Sequence, residues 1–136
     1  MNEVLQRIRE FHGHLGPYVA IGYKMGSLAL EKLGAKKYFG VTVDSYAGDA
    51  PPVSCMNDGL QLATGCTFGK GNIRNVASGE PRARIASGGR AMVVRLKPEV
   101  ERSLPGILEN EDGEAAAERI FGLASDALFD WDSIAG

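Results

Sequence analysis

The sequence is short of most residues that announce a function. Two cysteines, two histidines and one tryptophan are spread over 136 residues. Two cysteines with ten residues between them do not form a disulfide framework, and the four-cysteine pattern of a zinc ribbon is absent. No apolar run approaches the roughly 18 residues of a membrane span. Met1–Glu10 has neither the basic start nor the apolar centre of a signal peptide, so a cytoplasmic location is expected. The formal net charge is −2, and Lys and Arg are scattered, densest from Arg74 through Arg82, Arg84 and Arg90 to Arg95. A nucleic-acid binder needs a basic excess against phosphate, so that class is not expected. The chain shows no internal repeat or low-complexity segment, and its length suits a single domain over residues 1–136.

Periodicity supplies the elements. Val4, Leu5, Ile8 and Phe11 predict an amphipathic helix over Asn2–Phe11. Pro17 starts a second helix, which Gly34 closes. Gly22 and Gly26 on that helix permit close packing of another element. Alternation predicts a strand over Phe39–Tyr46, and Gly48–Pro52 reads as a loop. Ser54 is placed as the cap of a third helix from about Cys55 to Ala63, ended by Gly65. Arg82–Ala86 and Arg90–Leu96 form a hairpin about Ser87-Gly88-Gly89. The remainder is predicted helical, near Glu99–Ser103, Glu114–Leu123 and Ser125–Phe129. Trp131 reads as an interface anchor or, more simply, a core or edge residue. Few strands among several helices imply an α+β fold.

Four groups of residues carry chemical potential. His12-Gly13-His14 holds both histidines, and two residues apart in extended chain they face the same side. Two solvent-facing histidines after a helix is the plainer reading. Cys55, at a helix start, is expected to have a lowered pKa from the positive helix end, as metal binding or nucleophilic attack requires. A small buried apolar residue is the alternative. Asp58, three residues on, is placed to orient a histidine or act as a general base. The glycine-rich segment Thr64–Asn72 offers Thr67 and Lys70 as an anion-binding turn, or is only a tight connection. It is not a nucleotide-triphosphate loop, since Lys70 is followed by Gly71 and the order is helix then loop.

Phe11-His12-Gly13-His14-Leu15-Gly16-Pro17 with Gly22-Tyr23-Lys24-Met25-Gly26, and Ser54–Gln61 with Thr64–Asn72, resemble the two signatures of the FmdE-like family of formylmethanofuran dehydrogenase proteins. The resemblance covers about residues 11–72. It implies a thioredoxin-like α+β core with a mixed five-stranded sheet flanked by helices. It also implies a site in which His12, His14 and Cys55 are metal ligands, with zinc or another transition metal bound. The resemblance makes Cys66 and Lys70 neighbours of that site, and with the residue readings above, Cys55, Asp58 and Lys70 are the candidate catalytic residues and Cys66 and Thr67 the candidate cofactor contacts. A homodimer, an unidentified small molecule and a molybdenum or tungsten oxidoreductase are the expected partners, with one-carbon metabolism as the setting. Two other functions fit the same residues: a non-catalytic accessory protein, and a metal-free thiol enzyme using Cys55. The chain departs from the family in two places. Many members have cysteine where Gly16 stands here, and no cysteine follows Cys66, so the C-terminal zinc finger of some members is not expected.

Overall fold

A computed structural model describes residues 2–135, with side chains through Ser133. Helix α1 (Glu3–His12) begins where the Asn2 side chain accepts a hydrogen bond from the Leu5 N–H at 2.8 Å. It ends at Gly13, which has φ of 94°, a left-handed conformation that favours glycine. Helix α2 (Pro17–Leu33) has proline in its first turn and Gly34 past its end. It is buried over most of its surface and forms the centre of the molecule.

Five strands make one mixed sheet: β1 (Val41–Ser45), β2 (Ile73–Asn75), β3 (Arg82–Ser87), β4 (Arg90–Leu96) and β5 (Phe129–Ala135), in the order β2-β1-β3-β4-β5. Strands β1 and β2 are parallel, joined through α3 (Met56–Thr64), and the other pairs are antiparallel. The β3–β4 hairpin turns at Gly88-Gly89, both with positive φ, and pairs Ser87 with Arg90. Cross-strand partners Val43, Ile85 and Met92 form a buried row in the core shared with α2 and α3. The alternate row, Asp44, Arg84, Val93 and Asp132, faces the other side.

Three elements differ from the sequence expectation. Helix α4 (Pro98–Asn110) continues through Pro105 instead of stopping near Ser103. Leu104 is its only fully buried residue, so a carbonyl deprived of its partner by Pro105 can bond to water. Strand β2 is a three-residue edge strand, too short for alternation to register. Strand β5 follows α5 (Gly113–Phe121) and the single-turn helix α6 (Ser125–Leu128), where only helix was expected. Phe129 and Trp131 point to the core while Asp130 and Asp132 pair with Lys97 and Arg95 on β4's side. Trp131 is thus a half-buried residue of an edge strand. No helix among the described residues is long and apolar enough to cross a membrane.

Helices α2 and α3 pack with almost no gap, because glycines line the contact. A Cβ on Gly22 would stand 2.0 Å from the Met56 carbonyl oxygen, and one on Gly59 2.1 Å from that of Val19. A Cβ on Gly26 would come within 2.8 Å of the Ala63 Cβ. The contacts Val19–Gly59, Gly22–Met56 and Gly26–Ala63 join the two helices along their length, with the first turns of both near the same end of the crossing. Gly59→Ala is expected to cost about 1–3 kcal/mol of stability through overpacking, read as a lower denaturant midpoint with an unchanged m-value.

Candidate metal centre

That close crossing decides where the chemistry sits. His12, at the end of α1, and His14, just before α2, meet Cys55, just before α3. The ligand atoms of His12, His14 and Cys55 all lie within 4.8 Å of one another. The two imidazole rings are tilted by 50°, with centroids 4.6 Å apart. Gly13 turns the chain between them, and Gly16 leaves room beside His14: a Cβ there would be 3.2 Å from its Cε1 and 3.5 Å from its Nδ1.

His12 is held in one orientation. Its Nδ1 is 2.5 Å from Asp58 Oδ2, and the carboxylate oxygen accepts the Nδ1 proton. With Nδ1 protonated, Nε2 presents a lone pair. That atom is buried and has no hydrogen-bond partner among the described residues. An unpartnered buried imidazole nitrogen is costly unless something else uses the lone pair. A carboxylate behind a ligating histidine is the usual support of a metal-bound imidazole. Tetrahedral zinc on two nitrogens and a sulfur needs ligand atoms about 3.3–3.6 Å apart. The observed group therefore requires about an ångström of side-chain contraction, within rotamer adjustment, and the donor set fits a transition metal.

The segment before Cys55 is fixed by a polar network. The Ser45 hydroxyl bonds to Asn57 Oδ1, while Asn57 and Asn75 both donate to the Gly48 carbonyl, at 3.0 and 2.8 Å. The loop then passes through the cis peptide Pro51–Pro52 into a 3-10 turn over Val53–Cys55. Cys55, not Ser54, occupies the cap position of α3, and no side chain caps the helix. The expected lowering of the Cys55 pKa is also reversed. Burial pushes the thiol up from 9.0, the negative charge of Asp58 adds to this, and the hydrogen bond from its own backbone amide opposes it only in part. The helix end does not dominate because burial of the thiol is the larger effect, and Asp58 in the first turn of α3 adds to it.

Cys66, Thr67 and Lys70, expected beside the site, lie beyond the opposite end of α3, about 15 Å along the helix from Cys55. The Cys66 thiol is fully buried in the main core and bonds to the Val41 carbonyl at 3.4 Å. Lys70 and Thr67 pair within one exposed turn, Nζ to Oγ1 at 3.1 Å. Asn72 clamps that turn, accepting from the Thr67 N–H and donating to the Tyr38 carbonyl. Their glycine-rich motif builds a connection rather than a wall of the His12–His14–Cys55 group. Conversely, Leu108 of α4 and the buried Tyr18 of α2 line the cavity at that group. Burial, and secondarily Glu101, raises the Tyr18 pKa, so its phenol stays neutral. Leu104, Ile107 and Leu108 have helical spacing, the one sequence sign of this wall, but Pro105 lies among them.

Comparison with known proteins gives concordant results. The family model described as "FmdE, Molybdenum formylmethanofuran dehydrogenase operon" matches residues 11–130. A probable S-adenosyl-L-methionine-binding protein of Archaeoglobus fulgidus is 38% identical over 74 residues. That match covers 54% of this chain and 20% of the relative, so the chain aligns with only a fifth of that protein's length. The crystal structure of a tungsten formylmethanofuran dehydrogenase FmdE-like protein from Syntrophus aciditrophicus superposes with a TM-score of 0.74 at 22% identity. The superposition covers 98% of this chain and 71% of that one.

Proposed function

The chain belongs to the FmdE family, and from that premise we propose that it is a metal-centre protein in which His12, His14 and Cys55 hold one transition-metal ion, zinc before others, with one position left for an exchangeable ligand. The observation that carries the reading is the buried, unpartnered Nε2 of His12, aimed by Asp58 within a group that has two further donors. Two nitrogens and one sulfur favour zinc, with iron, nickel or copper as competitors. Three protein ligands with an open position is the pattern of catalytic rather than structural sites. When bound, the ion would supply Lewis acidity to the ligand in that position. Asp58 fixes the His12 tautomer, and Cys55 contributes the one anionic donor. A metal-free thiol enzyme is less well supported, because Cys55 is held protonated at neutral pH.

The description of the family as belonging to a molybdenum formylmethanofuran dehydrogenase operon favours a second reading. In it the chain is an accessory protein, working as a homodimer beside a molybdenum or tungsten oxidoreductase of one-carbon metabolism. A thioredoxin-like core belongs to the same proposal. Its support is the parallel β1–α3–β2 crossover flanked by the antiparallel β3–β4 hairpin. The S-adenosylmethionine of the archaeal relative's name is not carried over, since four-fifths of that protein lies outside the match.

Elemental analysis of untagged protein, beside a His12→Ala/Cys55→Ala variant, tests the metal reading. About one ion per chain is expected in the wild type and none in the variant, with circular dichroism unchanged. Wild-type protein that stays metal-free after reconstitution with zinc under reducing conditions overturns it.

A further inference from the structure

The cavity at the His12–His14–Cys55 group has two properties that restrict what can enter. Its open volume is about 40 Å³, against the roughly 10–15 Å³ of such space that a single water needs, so it holds only a few non-hydrogen atoms. Beyond the three donor residues its walls are Gly16, Pro17, Tyr18, Val19, Pro52 and Leu108. Among the described residues, no Lys, Arg, Asp or Glu lines it. Leu108 closes the α4 side while remaining 38% exposed, so it stands at the boundary between cavity and solvent.

On the metal reading given above, we propose that the exchangeable position takes only a compact, neutral or singly anionic ligand, and that Leu108 sets the size limit. Charge and volume lead there separately. Two neutral imidazoles and one thiolate leave a divalent ion with one unit of positive charge, which the Asp58 carboxylate behind His12 already offsets in part, so a neutral ligand or at most a monoanion is tolerated. A second negative charge would enter apolar walls without a cationic partner, and that is costly. Phosphorylated and multiply charged substrates are therefore excluded. Hydroxide, hydrosulfide, a short thiolate or a small carboxylate has the right chemistry. The volume admits the donor atom and a few further heavy atoms, after which a larger molecule meets Leu108, Pro52 or Pro17. Gly16 contributes by omission, because a side chain there would occupy the space beside the His14 ring. Leu108 is accordingly a specificity-determining residue on a helix that supplies no donor atom.

Cobalt(II)-substituted protein makes the test independent of any turnover. The visible d–d bands and the sulfur-to-cobalt band report, respectively, exchange at the open position and an intact Cys55 ligand. Wild-type and Leu108→Ala proteins are titrated with azide and with 4-phenylimidazole. Azide should shift the spectrum of both proteins with similar affinity. 4-Phenylimidazole should bind Leu108→Ala at least about tenfold more tightly than wild type, the scale on which apolar pockets discriminate by size. Equal binding of 4-phenylimidazole to both proteins, with the cobalt–sulfur band present, overturns the size limit and leaves the metal centre standing. Absence of that band from the wild type removes the metal centre, and this inference falls with it.

Discussion

Affinity for zinc should rise about tenfold per pH unit across the neutral range, roughly a hundredfold between pH 6 and pH 8, from Cys55 alone. The reason is the direction of its pKa. Burial and Asp58 hold the thiol above its ordinary 9.0 in the metal-free protein. A thiol below its pKa must release a proton to become a ligand, so the fraction ready to bind falls tenfold with each unit of acidity. Had the helix end lowered the pKa well below the neutral range, the same titration would be flat there. Competition with a chromophoric chelator at three pH values measures the slope, and Cys55→Ser removes the thiol's share. A pH-independent affinity in the wild type would show that Cys55 is not a ligand, or is already ionised in the metal-free protein.

The sequence carries much of this geometry, because the relevant cues are local. Pro17 and Gly34 mark the ends of a helix by their own conformational preferences, and the structure puts the ends of α2 there. Gly22 and Gly26 signal a close helix contact, and α3 makes it. What the sequence does not carry is set by distant partners. Strand β5 alternates apolar and acidic residues over Phe129–Asp132, but it becomes a strand only because β4 offers an edge, with Arg95 on it and Lys97 just past its end to pair the aspartates. Lys70 and Cys66 share a motif with glycines that suggests an anion site. The helix between Cys55 and Cys66 instead separates the two cysteines by its whole length. The Cys55 pKa fails for the same reason. A helix start can be read from the chain, whereas burial of the thiol depends on what packs over it.

Asp58 offers the sharpest test of how the centre is supported. Asp58→Ala removes the acceptor that holds His12 Nδ1, and a loss of this kind costs about 10- to 100-fold in metal affinity. Asp58 also acts in the opposite sense, because its charge helps keep Cys55 protonated. Removing it therefore makes the thiolate easier to form at neutral pH and offsets part of the loss. The two effects separate with pH. Below the Cys55 pKa the variant keeps this compensation, while above it the thiol is ionised in both proteins and only the lost orientation remains. The affinity deficit of Asp58→Ala should thus widen as pH rises and reach its full 10- to 100-fold, roughly, at alkaline pH. Asp58→Asn, which can still accept from Nδ1 but carries no charge, should show a smaller deficit throughout. A variant that matches wild type at alkaline pH would mean that Asp58 is a neighbour of His12 and not its support.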